Sequence, residues 1–353
     1  MLIGDIMDFE KYYNKLPGFI KYNNFILNFF LKISKRIRKF NLKSQQQNSQ
    51  HELFNLLLLH CDIKTKGTLR KVQILYVEFL RFFDNVCRKH GIEYWLETGT
   101  LLGAIRHGGF ILWDDDIDVS LLRKDYDKLL KILPQELSKY DYLKEECGLT
   151  LPINNHENYF KDFKDYTYFK DDENFPLKHR FLFLEFSILK PYIKIDIFPK
   201  DYLLDDKIDF YKKNYLSVKY RFNKEVQNGE KDFKEELKDK NSKLGLVDYE
   251  TNYYAYTLDD LEFIAPTVFR VDETFPLKTI SFEGYEFMCP CDIDSHLKEQ
   301  YGENYMSIPN VIEHHDMLEF MSTQFSSKEE LNQKIDDLTI YLKEINDSFF
   351  DEK

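Results

Sequence analysis

The sequence predicts an α+β fold: a mixed β-sheet flanked by helices, with further helical and irregular segments inserted around it. Between Gly67 and Pro134, amphipathic helical patterns alternate with short apolar strand patterns. Another strand pattern, YIKIDIF, follows at residues 192–198. The chain has no internal repeat, which argues against a solenoid or a propeller. These observations place one mixed sheet at the centre of the protein.

The predicted elements follow one another in a regular order. Apolar residues at helical spacing predict a helix that begins after Gly67 and ends at Gly91, where three basic residues precede the glycine. The elements predicted next are a strand over Ile92–Leu96, a helix over Thr100–Arg106, a strand over Ile117–Leu121, a helix over Lys124–Leu133 stopped by Pro134, and a strand over Tyr192–Phe198 closed by Pro199.

The second half of the chain is less regular. Residues 140–190 and 200–275 are polar and aromatic, and we expect insertions and helices there. Residues 277–289 predict a hairpin with Glu283 and Gly284 at its turn, and a helical pattern follows Ser327. We therefore divide the chain into an N-terminal segment (1–50), a catalytic domain (51–325) and a C-terminal helix (326–353).

Composition excludes several classes of protein. The chain has 353 residues, of which 43% are apolar and 31% charged, so it can bury a core and is not disordered by composition. Its net charge of -12 argues against nucleic-acid binding, which needs a basic face. Five scattered cysteines are typical of a reduced, cytoplasmic protein rather than a disulfide scaffold.

The first 43 residues differ in charge from the rest. They carry nine Lys or Arg against three Asp or Glu, and residues 18–43 have apolar side chains at helical spacing. Such a basic amphipathic helix either packs on its own domain or contacts a partner or the inner face of a membrane. Residues 44–50 form a polar linker, and we expect neither a membrane span nor a signal peptide.

The strongest chemical signal is the acidic run Trp113-Asp114-Asp115-Asp116-Ile117-Asp118-Val119, which follows Glu97-Thr98-Gly99-Thr100. Side chains at positions i and i+2 of a strand point to the same face, so Asp116 and Asp118 project together and Asp114 can join them. Clustered carboxylates repel one another unless a cation lies between them. Oxygen ligands suit Mg²⁺ or Mn²⁺, which binds substrate phosphates.

A third acidic position lies on a separate strand. Asp196 alternates with Ile195 and Ile197, and a buried strand seldom carries a charge that is neither paired nor metal-bound. The Gly99-Thr100 turn provides a close backbone approach, a hydroxyl and a helix N-terminus, all of which suit a phosphate. Arg106 and His107 follow within two turns and are candidate phosphate contacts.

The stretch YWLETGTLLGAIRHGGFILWDDDIDVSLLRKDYDKL resembles the signature of the LicD family, which includes bacterial phosphocholine transferases and fukutin-type enzymes. The resemblance continues in IKIDIFPKD and FPLKTISFEGYEFMCP, and it covers roughly residues 67–318. It implies a nucleotidyltransferase fold. It also implies a donor site formed by Gly99, Thr100, Asp114, Asp116 and Asp118, with Asp196 as the third acidic position.

The resemblance further implies Mg²⁺-dependent transfer of a phospho-group from a CDP-activated donor, with CMP as leaving group. The favoured cargo is phosphocholine from CDP-choline. The expected acceptor is a hydroxyl of a free or lipid-linked cell-surface glycan of the lipopolysaccharide, capsule or teichoic acid type. Glycerol-, ribitol- or sugar-phosphate transfer is one alternative, and an inactive scaffold is the other. Asp196 is either a metal ligand or the general base, and His314-His315 either reaches the site or lies at the surface.

Overall fold

The computed structural model describes residues 64–150, 184–189, 193–227, 233–259, 266–308 and 325–351. The predicted helix at residues 18–43 and the pair His314-His315 lie outside these ranges. Apart from Ile308, the described residues belong to one compact unit formed by Asp62–Ser307 and Val311–Lys353.

The described helices and strands extend from α1 to α9 and from β1 to β10. The helices are α1 (Thr68–His90), α2 (Thr98–His107), α3 (Arg123–Leu137), α4 (Asp141–Glu146), α5 (Ile208–Gln227), α6 (Phe233–Leu244), α7 (Val271–Thr274), α8 (Ile293–Tyr301) and α9 (Lys328–Ser348). The strands are β1 (Trp95–Leu96), β2 (Ile117–Leu122), β3 (Cys147–Thr150), β4 (Leu184–Ile188), β5 (Ile193–Leu203), β6 (Leu246–Val247), β7 (Tyr253–Tyr256), β8 (Val268–Arg270), β9 (Lys278–Phe282) and β10 (Tyr285–Cys289).

The main sheet is mixed, as predicted. Its strands follow the order β1-β2-β5-β4-β3, while β6 and β7 pair with the distal part of β5 and β8 pairs with β7. β2 and β5 are parallel, and the other pairs in this sheet are antiparallel. β5 is therefore the central strand that joins the two parts of the sheet, and the α+β prediction is confirmed.

The two faces of the sheet bury different cores. On one face, alternate residues of β2 and β5 such as Val119 and Ile195 are fully buried in a cluster with apolar side chains of α1, α3 and α9. The opposite face carries an aromatic cluster that includes Trp95, Phe198 and Tyr256. Because strand side chains alternate between faces, Asp118 and Asp196 lie on the aromatic face.

Two prolines do not end their elements as predicted. Pro134 lies inside α3, which continues to Leu137 because Leu133 and Leu137 are both fully buried there. Pro199 lies inside β5, between Ile197, the last residue paired with β4, and Lys200, the first paired with β7. Among the described residues, none on that edge pairs with Pro199, so the strand tolerates the proline.

Other predicted elements match more closely. The hairpin β9–β10 turns at Glu283 and Gly284, both with positive φ. Ser327 caps α9 by accepting a hydrogen bond from the Glu330 N–H, and α9 packs along α1. The first predicted strand is shorter than expected and spans Trp95–Leu96. Within the described ranges, no helix has the combination of length and apolar character needed to cross a lipid bilayer.

Candidate active site

Asp118 and Asp196 lie opposite each other on adjacent parallel strands. They are register partners in the β2–β5 pairing, so their side chains project from the same face of the sheet. Asp196 is 3% exposed, and its Oδ2 forms an ion pair with Lys194 Nζ at 3.0 Å. The strand that carries Asp196 therefore lies beside the strand that carries Asp118.

The other predicted carboxylates lie close to this pair. Burial first, and then the negative charge of Asp116, raise the pKa of the Tyr76 hydroxyl, with smaller contributions from Asp115 and Asp196. Desolvation, and then the charges of Asp118, Glu97, Asp114 and Asp116 in that order, raise the pKa of the Tyr301 hydroxyl, although 46% of this residue is exposed. The predicted acidic residues therefore raise the pKa of both the Tyr76 and Tyr301 hydroxyls, as expected where their charges form one region of negative potential.

The turn between β1 and α2 is attached directly to Asp118. Thr98 begins α2 with φ +44°, a left-handed conformation that costs a β-branched residue about 1–3 kcal/mol. Its hydroxyl donates to Asp118 Oδ2, while Thr100 Oγ1 accepts a 2.9 Å hydrogen bond from the Asp118 N–H. Thr100, predicted as a phosphate contact, thus also fixes the turn to β2. The role of Thr98 was missed because its neighbours Gly99 and Thr100 carry the recognisable signal.

Gly99 provides the close approach that the sequence predicted, although its neighbour is a carboxylate. A Cβ at this position would lie 3.1 Å from Asp114 Oδ2. The free N–H groups at the start of α2 are therefore adjacent to the acidic region, and the positive end of the helix favours an anion there. This arrangement suits a phosphate group bound between the α2 N-terminus and a cation.

The loop that carries Asp114 is held by α1 and by the β9–β10 turn. Gln73 Nε2 donates to the Asp114 carbonyl at 3.0 Å. Glu283 accepts two hydrogen bonds from Arg70, at 3.0 and 2.7 Å, and its backbone N–H donates to the Gly108 carbonyl at 2.9 Å. Gly109 has no room for a Cβ, which would lie 2.4 Å from Glu283 Oε1. Gly108 and Gly109 therefore allow the β9–β10 hairpin to pack against the end of α2.

Arg106 and His107 lie at the other end of α2. Arg106 is 8% exposed, and its Nε donates to His107 Nε2 at 3.0 Å. Burial lowers the pKa of Arg106, while the nearby Tyr301 and Asp114 act in the opposite direction. The structure thus places Arg106 near the acidic region, with His107 as its hydrogen-bond partner.

A buried polar network behind the turn was not recognised from the sequence. Glu97 is fully buried and accepts hydrogen bonds from Trp95 Nε1 at 2.6 Å, Tyr256 OH at 2.8 Å and Gln300 Nε2 at 2.7 Å. Lys200 Nζ, also fully buried, lies 3.6 Å from Glu97 Oε1. Burial raises the pKa of Glu97, but Lys200 and then His296 outweigh it and hold this pKa below its ordinary value.

A sequence signal for part of this network did exist. Lys194, Asp196, Phe198 and Lys200 alternate along one strand, so Lys200 shares a face with Asp196 once the strand is allowed to pass Pro199. The contributions of Tyr256 and Gln300 come from distant segments and have no local signature.

The carboxylate set suits a hard divalent cation, although it is not closed around one. Within the part of the chain that the structure describes, no three His, Cys, Asp or Glu side chains form a preassembled metal cluster. The Asp118 and Asp196 carboxylates contact Thr98 and Lys194 instead. Carboxylate oxygens from two adjacent parallel strands are nevertheless the ligands that Mg²⁺ or Mn²⁺ prefers. Beside them, the backbone at Gly99 leaves a space that a Cβ would fill.

Comparisons with known proteins agree with this geometry. Residues 91–251 match a family model described as "LicD/FKTN/FKRP, nucleotidyltransferase domain". The chain is 44% identical over 75 residues to the lipopolysaccharide cholinephosphotransferase LicD of Haemophilus influenzae, covering 21% of this chain and 28% of that protein. It is 46% identical over 48 residues to human ribitol 5-phosphate transferase FKRP, covering 14% of this chain and 10% of that protein.

A longer match involves the uncharacterized protein RP689 of Rickettsia prowazekii, at 30% identity over 145 residues, 36% of this chain and 54% of that protein. The chain thus spans between about a tenth and about half the length of these relatives. The family match covers β1, α2, β2 and β5, which carry the acidic residues and the glycine turn. Over residues 91–251, the chain is thus similar to the nucleotidyltransferase domain of the LicD family.

Proposed function

We propose that this protein is a metal-dependent transferase that moves a substituted phosphate group from a nucleotide-activated donor to a hydroxyl acceptor. The observation that carries the proposal is the register pairing of Asp118 with Asp196 on the face beside the α2 N-terminus. Such a site brings acidic oxygens and backbone N–H groups to the same place, which suits a diphosphate and its cation.

In this proposal Asp116 and Asp118 hold Mg²⁺ or Mn²⁺, with Asp114 and Asp196 as further candidate ligands. A bound cation would neutralise negative charge on the donor phosphates. The N–H groups of Gly99 and Thr100 bind a donor phosphate, and Arg106 supplies positive charge near Asp114. Thr98 and Thr100 orient Asp118 through its carboxylate and its backbone N–H.

The role of Asp196 has two versions that the structure supports differently. As a general base it would take the proton of the acceptor hydroxyl, and Lys194 at 3.0 Å would keep it ionised for that step. As a metal ligand it would have to exchange part of this ion pair for the cation. The existing contact with Lys194 favours the general-base version.

For the donor, we propose CDP-choline first, because the LicD relative is named a cholinephosphotransferase. CDP-ribitol is the second candidate, because the FKRP relatives are named ribitol 5-phosphate transferases. The acceptor in this proposal is a free or lipid-linked precursor of a cell-surface glycan, modified at the cytoplasmic side of the membrane. Residues 18–43 are the candidate membrane contact.

The deciding experiment is a donor panel. Purified protein is incubated with Mg²⁺, a glycan acceptor and CDP-choline, CDP-ribitol, CDP-glycerol or a sugar nucleotide. The glycan hydroxyl or water takes up the transferred phosphate group, and CMP or another nucleotide product is measured by chromatography. We expect release from one CDP-linked donor, loss of release with EDTA, and loss in Asp116→Ala. Asp206→Ala is the matched control, because Asp206 is an exposed aspartate remote in sequence from the motif. Absence of release with every donor would favour the inactive-scaffold alternative.

A further inference from the structure

The fully buried pair Glu97 and Lys200 stands apart from the acidic site in what it contacts. The Glu97 side chain contacts the aromatic cluster formed by Trp95, Tyr256 and neighbouring rings. Lys200 Nζ lies 2.7 Å from the centre of the Tyr256 ring. Burying two charges is costly, and hydrophobic replacements of such pairs are often as stable, so a pair of this kind is weak evidence for a stabilising role.

The backbone of Glu97 links this buried network to the site. Its N–H donates to the Asp118 carbonyl at 3.0 Å, and its carbonyl accepts from the Leu101 N–H at 3.1 Å as the N-cap of α2. The residue that follows is Thr98, with its left-handed φ and its hydroxyl bonded to Asp118. The side chain of Glu97 is thus anchored on β5, β7 and α8, while its backbone fixes the start of the strained turn.

A strained turn persists only where its surroundings hold it in place. Two sets of contacts surround Thr98. The first is its hydrogen bond to Asp118. The second belongs to the adjacent Glu97 side chain, which accepts three hydrogen bonds and lies near Lys200 and His296. If the contacts of the Glu97 side chain are weakened, the turn can relax, and the φ angle of Thr98 can move to an ordinary helical or extended value. The Thr98 hydroxyl would then move away from Asp118 Oδ2, and the orientation of that carboxylate would no longer be fixed.

From these contacts we infer that Glu97 and Lys200 are positioning residues, which hold the Thr98 turn and thereby fix the Asp118 carboxylate for cation binding. The inference rests on the proposed function, because it assigns a purpose to the orientation of Asp118. Partners behind the groups that bind a metal commonly change metal affinity by about 10- to 100-fold when they are removed.

The test measures Mn²⁺ binding alone, without donor or acceptor, from the loss of the free Mn²⁺ signal in electron paramagnetic resonance. Full-length Glu97→Gln and Lys200→Met are compared with the wild type at a temperature where near-ultraviolet circular dichroism shows each to be folded. We expect Mn²⁺ affinity to fall about tenfold or more in both variants. Tyr256→Phe removes one hydroxyl and keeps the ring, and we expect a smaller loss of Mn²⁺ affinity than in Glu97→Gln.

Glu136→Gln is the matched control. Glu136 is a carboxylate 3% exposed that accepts hydrogen bonds from Lys89, His90 and Lys139, so its loss also affects a charged cluster around a buried carboxylate. We expect Glu136→Gln to lower the melting temperature and leave Mn²⁺ affinity as in the wild type. Wild-type Mn²⁺ affinity in folded Glu97→Gln and Tyr256→Phe would overturn the inference and leave the proposed function standing. A wild-type protein that neither binds Mn²⁺ nor releases a nucleotide would overturn both.

Discussion

Thr98 Oγ1 donates a hydrogen bond to Asp118 Oδ2, and Thr98 has φ +44°, so a strained residue at the start of one helix holds a carboxylate of the neighbouring strand. Ordinary turns do not need a β-branched residue in the left-handed region. The contact shows how this fold attaches the glycine turn to the acidic motif. It also explains why changes on either side of the turn are expected to alter the same site.

The first prediction concerns Asp118 itself. Asp118→Asn keeps the size of the side chain and removes its negative charge, so the protein should fold while cation binding is lost. We expect nucleotide release to fall by about a hundredfold or more, because the charge that holds the cation is missing. Mn²⁺ titration and donor turnover on the same preparation check this. Turnover close to that of the wild type would contradict the assignment of Asp118.

The second prediction separates two glycines of α2. In Gly99→Ala the new Cβ meets a flexible carboxylate, Asp114, at 3.1 Å, whereas in Gly103→Ala it meets the Gly109 carbonyl at 2.5 Å. We expect Gly99→Ala to keep or raise the melting temperature, since alanine favours a helix by about 1 kcal/mol, while donor turnover falls. Gly103→Ala should lose about 1–3 kcal/mol of stability.

Thermal denaturation and turnover, measured on both glycine variants, check this pair. The two results must dissociate, with activity lost at Gly99 and stability lost at Gly103. If Gly99→Ala turned over the donor at the wild-type rate, the close approach to Asp114 would have no part in the reaction.

The third prediction concerns acid stability. Burial raises the pKa of Glu136, but hydrogen bonds from Lys139, His90 and Lys89 outweigh it and lower the pKa to about 2. A carboxyl with a lowered folded-state pKa stabilises the protein above its unfolded value near 4.5, and this stability is lost as the pH falls from there toward 2. We expect the wild type to lose about 1–2 kcal/mol more than Glu136→Gln over this interval, after allowing for solvent screening of the lysines.

Urea denaturation at several pH values between 6 and 2.5, a range chosen to bracket that loss, measures the difference. Because other carboxyls titrate in both proteins, the informative quantity is the difference in slope between wild type and variant. Equal slopes would show that the Glu136 cluster contributes nothing to the acid dependence.

The fourth prediction concerns the ion pair between Arg70 of α1 and Glu283 at the β9–β10 turn. Glu283→Gln removes the charge that pairs with Arg70, whose two hydrogen bonds to Glu283 measure 3.0 and 2.7 Å. We expect a loss of about 1–3 kcal/mol, because Arg70 loses its charged partner and the loop before Asp114 loses an anchor. Arg270→Gln serves as control, since Arg270 pairs with Asp272 at an exposed position and surface pairs contribute about 0–1 kcal/mol. Equal melting temperatures for the two variants would contradict the claim that the Arg70–Glu283 pair stabilises the protein.

The fifth prediction tests the N-terminal segment. Residues 18–43 contain the basic cluster Lys35, Arg36, Arg38 and Lys39 on a predicted amphipathic helix. If this helix lies on an anionic lipid surface, replacing the four residues by glutamine should abolish co-flotation of the full-length protein with phosphatidylglycerol-containing vesicles, since each basic residue near such a surface contributes about 1 kcal/mol. Flotation that is unchanged by the replacement, or absent in the wild type, would favour packing on the domain.

Sequence alone determined the local features of this protein. Strand alternation predicted that Asp116 and Asp118 share a face, and it marked Asp196 as a charged residue in an apolar strand. Glycine positions located the α2 turn and the β9–β10 hairpin, because these signals lie within a few residues. The tertiary structure decided which strands are adjacent: β5 lies parallel to β2 although about 75 residues separate them along the chain. It also decided that Lys200, Tyr256 and Gln300 meet at Glu97, since a buried carboxylate must collect donors wherever the fold provides them. Local periodicity carries no information about such partners, and only close packing of distant segments brings them together.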